Sequence, residues 1–187
     1  MRPPHAWRGS PAHRRGCHLV NIEFAPLVQR RQEIPRVARW WCDEWGLPER
    51  HPSFTAYVQE LEALSPDTLP LHLIAEREGR ALGVATLKAK VDHLVARGCS
   101  YWLSGVYVEP TSRGQGIATA LCQNVVEAAR THAIETLYLQ TEHLGGGLYS
   151  RLGWRRLQEH HEGGVDQVVM LKDLALKDRD RGGITGR

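Results

Sequence analysis

Apolar residues recur at helical spacing in three stretches of the chain. They predict a first helix from Pro35 to Gly46, a second from Pro52 to Leu64 and a third from Gly116 to Thr131. Proline suits the first turn of a helix and glycine the residue after its last turn, which sets the ends of the first range. We expect one face of this first helix to pack into the core, the face formed by Val37, Trp40, Trp41 and Trp45.

Short apolar-rich segments bounded by turn-forming residues predict strands around these helices. The clearest is Tyr101 to Val108, directly before the third helix. Leu69 to Glu76 and Ala81 to Lys90 predict a hairpin around Gly79, and a second hairpin closes the fold across Gly163-Gly164. The element order is therefore mixed α/β. The remaining predictions are strands at His18 to Phe24, Glu135 to Thr141, Trp154 to His160 and Val165 to Leu171, and a short helix at Leu148 to Leu152.

Length and composition indicate one soluble domain. A chain of 187 residues with 42% hydrophobic and 24% charged residues has enough apolar surface for a single core. No apolar run approaches the roughly 18 residues that cross a bilayer, so no membrane association is expected. We predict a folded domain at residues 18–175, a disordered basic extension at residues 1–17 and a flexible tail at residues 176–187.

Charge and cysteine usage narrow the partners and the compartment. The net charge is +3, but four arginines and no acidic residue lie in the first 22 positions, so residues 23–187 carry −1. A nucleic-acid-binding domain is expected to be basic on its folded surface, so we predict no nucleic-acid partner.

The four cysteines form no CxxC pair, and His160, His161 and Glu162 lack HExxH spacing. We therefore predict reduced thiols in the cytoplasm and no metal.

The connection from the clearest strand to the third helix carries the candidate chemistry. It contains Arg113-Gly114-Gln115-Gly116, followed by Ile117, Ala118 and Thr119. The first N–H groups of a helix lack intrahelical partners and lie at the positive end of the helix dipole, so a phosphate is favoured there. Small residues let the backbone approach the anion, and Arg113 adds a permanent positive charge.

Three other interpretations compete for this loop. A P-loop requires a Lys-Ser/Thr pair after its last glycine, and none follows Gly116. A dinucleotide-binding fingerprint requires Gly or Ala where Thr119 stands, and a tight turn directly from the strand, whereas Glu109 to Arg113 intervene here. The third interpretation is an ordinary strand-to-helix turn that happens to contain two glycines.

The complete string from Val106 to Leu121 resembles motif A of the GNAT superfamily of acyl-CoA-dependent N-acetyltransferases. That motif reads Gln/Arg-x-x-Gly-x-Gly/Ala, and Arg113, Gly116 and Ala118 match it. A second segment, Leu148 to Trp154, is similar to the family's FYxxxGF segment. The resemblance implies a mixed, twisted sheet of about six or seven strands with a central splayed parallel pair, flanked by about four helices.

The resemblance also implies that acetyl-CoA lies between the two central strands. Tyr149 matches the family's usual donor to the departing thiolate. Some members carry a glutamate near the start of the strand before motif A, but Ser100 to Trp102 offer none, so the base would be Glu142, His143 or a water. The implied cofactor-binding residues are Val106, Tyr107 and Val108 along the pantetheine arm, and Arg113, Gly114, Gln115, Gly116, Ile117, Ala118 and Thr119 around the pyrophosphate.

The predicted activity is therefore acetyl transfer to a primary amine of a small molecule or peptide, by direct attack of the amine on the thioester. Trp40 or Trp41 is a candidate wall of the acceptor site, and the loop Val91 to Ser100, with Asp92 and His93, is another. Two other classes stay open, a non-catalytic acyl-CoA-binding or sensing domain and a dinucleotide-binding oxidoreductase. Monomer and homodimer are both compatible with the sequence.

Overall fold

Seven strands and four α-helices make up the part of the chain that the computed structural model describes, residues 21–65, 68–91 and 99–175. Predictions for residues 1–17 and 176–187, for His18, and for Asp92 and His93 lie outside these ranges. The helices are α1 (Ile34–Trp45), α2 (Phe54–Glu62), α3 (Ile117–Thr131) and α4 (Gly147–Arg151). The strands are β1 (Glu23–Pro26), β2 (Leu71–Arg77), β3 (Arg80–Val91), β4 (Cys99–Val108), β5 (Thr136–Thr141), β6 (Arg155–Glu162) and β7 (Val165–Asp173).

The predicted elements are confirmed, with ends within two residues of the prediction everywhere except in the first strand. That strand starts at Glu23, well after the predicted start at His18, and continues to Pro26, beyond the predicted end at Phe24. It does so because it pairs antiparallel with β2 as far as Pro26, opposite Leu73. Long-range pairing, which a local pattern does not contain, therefore sets its end.

The sheet has the order β1-β2-β3-β4-β5-β7-β6. Neighbouring strands run antiparallel except β4 and β5, which are parallel, so the predicted mixed sheet with a central parallel pair is confirmed. Among the described residues, β4 and β5 share one registered Cα pair, Trp102 with Tyr138. Beyond Trp102 the edge of β4 that faces β5 is therefore free of ladder hydrogen bonds from that strand.

The two faces of the sheet bury separate hydrophobic clusters. One cluster lies under α3 and includes Leu103, Leu121 and Leu139, each almost fully buried. The other lies under α1 and α2 and includes Val37 and Ile74. Because side chains alternate across a strand, β2 and β3 contribute to both clusters, with Leu73 and Ala85 in the first and Ile74 and Val84 in the second.

The prediction for the buried face of α1 is wrong at one position. Val37 and Trp41 are buried and Trp40 is half-buried, but Trp45 is 58% exposed. Trp45 stands in the last turn, where Gly46, at φ 81°, turns the chain away from the helix axis. Periodicity locates the face of a helix, whereas the extent of burial depends on how far the underlying sheet reaches.

None of the helices in the described ranges is both long enough and apolar enough to span a bilayer.

Candidate active site

The loop before α3 leaves the first backbone amides of the helix accessible. Gly114 and Gly116 both have left-handed backbone conformations, at φ 78° and φ 81°, and both are exposed. Gly116 is the residue directly before Ile117, and its carbonyl accepts the first helical hydrogen bond, from Ala120 N at 3.0 Å. The N–H groups ahead of that bond have no carbonyl partner within the helix, so this is an anion-binding geometry.

A buried carboxylate holds the loop in place. Glu109 is 8% exposed and stands between β4 and a 3-10 turn at Pro110–Ser112. Its Oε1 accepts a hydrogen bond from Ser112 Oγ at 3.0 Å, and its Oε2 lies 3.0 Å from Arg80 Nη2. The loop is thereby attached to the β2–β3 hairpin, which fixes its position relative to the sheet.

Two arginines flank the loop and differ in what they contact. Arg113 folds back onto β4, where its Nε donates to Val108 O at 3.0 Å and its guanidinium lies 5.7 Å from the Tyr107 ring centroid. Arg77, at the end of β2, donates from Nη2 to Gln115 Oε1 at 3.1 Å. Sequence reasoning missed Arg77 because it lies 38 positions before Gln115 and belongs to no motif.

A cavity of about 450 Å³ lies where β4 and β5 diverge. Its walls come from β4 between Trp102 and Val106, from Lys88 and Lys90 on β3, and from Gln140 and Gln167 on β5 and β7. No sequence motif predicts the two lysines and two glutamines as site residues. The spacing of Lys88 and Lys90 by two positions was the available signal, since it places both on one face of a strand.

Tyr149 lines the same cavity from α4. The side chain is half-buried, and its ring packs edge-on against Trp154, with centroids 6.3 Å apart. Burial, and to a smaller extent the nearby Cys122 thiol, raises the pKa of Tyr149 well above its ordinary value. Burial also raises the pKa of Cys122, to about 12. The phenol is therefore protonated at neutral pH and is a hydrogen-bond donor at the cavity wall.

Glu142 and His143 follow β5 but take different positions. Glu142 is exposed and is one of the residues that line the cavity. The His143 ring lies instead over the glycine turn that leads into α4, with Cγ 3.4 Å from the point where a Cβ on Gly147 would stand. His143 is not among the residues that line the cavity. Of these two predicted bases, Glu142 is the one in reach of a molecule bound there.

The three predicted residues at the end of β4 do not all reach the cavity. Val106 lines the cavity, Val108 is buried in the cluster under α3, and Tyr107 stacks on Trp40 at a centroid distance of 5.2 Å on the opposite face. Their assignment to the pantetheine arm stays a prediction, and it rests on the free backbone edge of β4.

The aromatic wall of the cavity comes from a residue other than those predicted. Trp45, at the exposed end of α1, lines the cavity, whereas Trp40 and Trp41 do not. Trp102 completes this wall; its ring lies 5.6 Å from that of Tyr138 and 5.3 Å from Lys90 Nζ. Neighbouring tryptophans on a helix point about 100° apart, so the helix position relative to the sheet decides which one reaches the cavity.

One family model matches the chain, and several solved structures share its fold. Residues 34–154 match the model of the Acetyltransferase (GNAT) family. An N-acetyltransferase from Staphylococcus aureus Mu50 has a similar structure at TM-score 0.63 and 16% identity, over 82% of this chain and 99% of that one. A ribosomal-protein-alanine N-acetyltransferase from Brucella melitensis reaches TM-score 0.62 and 25% identity, over 81% and 98%. Arabidopsis thaliana NAA60, solved with acetyl-CoA, reaches 0.60 and 18%, over 82% and 99%. No curated protein sequence matches the chain.

Proposed function

Because this chain belongs to the Acetyltransferase (GNAT) family, we propose that it transfers an acetyl group from acetyl-CoA to a primary amine of a small molecule or peptide. Membership of the family makes it an acetyl-CoA-dependent N-acyltransferase. What we propose is the class of acceptor and the role of each residue at the site. The observation that carries it is the cavity between β4 and β5, where the free strand edge, Tyr149 and Glu142 meet. The glycine-rich loop follows the same strand.

The loop and the strand are suited to the two ends of the donor. The exposed amides at the start of α3, with Gly114 and Gly116 in left-handed conformations, would hold the pyrophosphate of CoA. The edge of β4 beyond Trp102 would pair with the amide groups of the pantetheine arm. The thioester supplies the acetyl group and a thiolate leaving group, and these contacts would align it for attack.

Tyr149 is the proposed donor to the leaving thiolate. Its raised pKa keeps the phenol protonated throughout the neutral range, so it can donate a hydrogen bond to the developing thiolate as the C–S bond breaks. Glu142 is the proposed acceptor of the amine proton, directly or through a water, because its carboxylate lies at the cavity. His143 stays the alternative, and it would have to leave the glycine turn to act.

Mixed charge in the cavity is compatible with several amines. Lys88 and Lys90 lie on one wall, and Glu142 lies at the end of β5. The ribosomal-protein-alanine acetyltransferase among the similar structures supports including peptide N-termini among the candidates.

Free thiols at Cys42 and Cys122 support a reducing, cytoplasmic compartment.

Turnover of acetyl-CoA against a panel of acceptors tests the proposal. Release of free thiol is measured with amino acids, polyamines, aminoglycosides and short peptides, each at matched concentration. We expect at least one class to be acetylated, and Tyr149→Phe to lower kcat roughly 100-fold. Tyr101→Phe is the matched control, because Tyr101 also packs against the cluster under α3 but does not line the cavity. Binding of acetyl-CoA without transfer to any acceptor would instead support the sensing domain.

A further inference from the structure

A β-bulge interrupts β4 at the cavity. In the ladder between β3 and β4, Val84 pairs with Tyr107 and Thr86 pairs with Ser104, so Gly105 and Val106 together oppose a single residue, Ala85. Gly105 has φ 57°, and both bulge residues line the cavity. A bulge re-aims the backbone and local side chains, so its conformation decides which groups of β4 face a bound molecule.

The indole of Trp41 holds this bulge from behind. Trp41 is 8% exposed, and its Nε1 donates a hydrogen bond to Gly105 O at 3.1 Å. A Cβ on Gly105 would lie 3.1 Å from that same nitrogen, so the ring is in close contact with the bulge. The carbonyl of Gly105 is thus turned out of the strand and towards α1, and without the indole this half-buried carbonyl would lose its protein partner.

A second layer fixes the indole. The Trp41 ring lies 5.0 Å from the His72 ring, and His72 Nδ1 lies 2.8 Å from Thr86 Oγ1. Thr86 is 4% exposed and flanks the bulge on β3. The contacts thus run from His72 on β2 to Trp41 on α1 and on to Gly105 in the bulge. Thr86 on β3 lies beside both Gly105 and His72 and closes the chain. Such a chain restricts the indole to one orientation.

We infer that Trp41 is a positioning residue for acyl transfer, which acts through the Gly105 carbonyl to hold the β4 bulge against the cavity. The inference rests on the proposed function for its catalytic consequence. Trp41 is not among the residues that line the cavity, so its effect passes through the backbone of β4. Its N–H group, rather than the bulk of its ring, carries that effect.

Trp41→Phe tests this role, because phenylalanine keeps an aromatic ring in the cluster but removes the N–H donor. Tyr57→Phe is the matched control, since Tyr57 is buried in the same cluster as Trp41 and loses a polar hydrogen, but is not among the residues that line the cavity. With the acceptor identified by the panel, we expect Trp41→Phe to lower kcat about tenfold while the KM for acetyl-CoA changes less than about threefold, and Tyr57→Phe to leave kcat within about twofold.

Hydrogen exchange supplies a readout that does not depend on turnover. Amides of Ser104 to Val108 should exchange about tenfold faster in Trp41→Phe than in the wild type, while amides of α3 keep their rates. Equal acceleration in both regions would mean global destabilisation and would overturn the inference, as would unchanged exchange at the bulge. If the wild type acetylates no amine, the proposed function fails, whereas the exchange comparison still decides whether Trp41 holds the bulge.

A second variant approaches the same contact from the strand. Gly105→Ala places a methyl group 3.1 Å from Trp41 Nε1 and strains a left-handed residue, so it should also lower kcat and speed exchange at the bulge. If both changes act through one hydrogen bond, the double variant should be little worse than either single variant. Fully additive losses would show that the two residues act separately. Gly105→Ala alone replaces Trp41→Phe should that variant not fold, with exchange at Ser104 to Val108 as its readout.

Discussion

The donor side and the acceptor side of the proposed active site are built from different parts of the chain. The donor side is the loop Arg113 to Gly116 together with the first turn of α3. The acceptor side is the cavity wall formed by Trp45, Lys88, Lys90 and Trp102. The donor side uses backbone amides within one short segment, whereas the acceptor side uses side chains from α1, β3 and β4.

This difference predicts that the two sides respond to different kinds of substitution. Backbone amides depend on local φ and ψ, so the donor side should respond to changes at glycines and tolerate many side chains elsewhere in the loop. Side chains from separate elements depend on packing, so the acceptor side should respond to changes in the buried cluster beneath it. The acceptor side is also where relatives with different substrates can differ without loss of the donor site.

Lowering the pH should destabilise the packing beneath the acceptor side, because it protonates His72. Burial, assisted by the charge of Lys88 and opposed by Glu60, lowers the pKa of His72 from 6.5 to about 4. Above pH 6.5 the ring is neutral in both folded and unfolded chains, and its contribution to stability is complete. Between pH 6.5 and 4 the unfolded chain binds a proton that the folded chain does not, so stability falls, by on the order of 3 kcal/mol at pH 4.

Urea unfolding at pH 7 and pH 5 measures this effect. The free energy of unfolding should fall more between these pH values in the wild type than in His72→Gln, because the variant lacks the titrating imidazole. His132→Gln, an exposed position at the end of α3, should behave as the wild type. An equal fall in the wild type and His72→Gln would show that His72 does not control the acid sensitivity of this cluster.

The second test is whether backbone conformation alone controls the donor side. Gly116→Ala places a side chain at φ 81°, and Gly164→Ala, in the β6–β7 turn, places one at φ 83°; a Cβ meets no atom within 4 Å at either site. The conformational strain is about 1–2 kcal/mol in both. We expect both variants to lose similar stability, but only Gly116→Ala to weaken acetyl-CoA binding, by up to about tenfold, as the loop relaxes. Isothermal titration distinguishes them.

The same contrast explains what could be predicted from the sequence. Arg113, Gly116 and Ala118 are contiguous with the strand and helix that present them, so local pattern was sufficient to locate the loop. Gln140 and Gln167 meet at the cavity only because β7 inserts between β5 and β6 in the sheet. That order follows from long-range pairing, which no short window of sequence contains.

The bulge in β4 shows a second limit. Gly105 interrupts the apolar pattern of the strand, but one glycine in a strand indicates a bulge or a close approach of another group without distinguishing them. Here both occur: Gly105 and Val106 form the bulge, and the Trp41 indole contacts Gly105. The pattern likewise placed Trp45 on the packed face of α1 and could not show that the helix extends past the core.

The smallest expected effect tests whether the two sides are separable at a single side chain. Trp45→Ala removes an aromatic wall of the cavity that is already 58% exposed, so folding stability should change little. The KM for the acceptor should rise about fivefold, or roughly 1 kcal/mol, while the KM for acetyl-CoA stays constant. Leu47→Ala is the control, because Leu47 is 38% exposed nearby but does not line the cavity. A change in the acetyl-CoA KM of Trp45→Ala would show that the two sides share this wall.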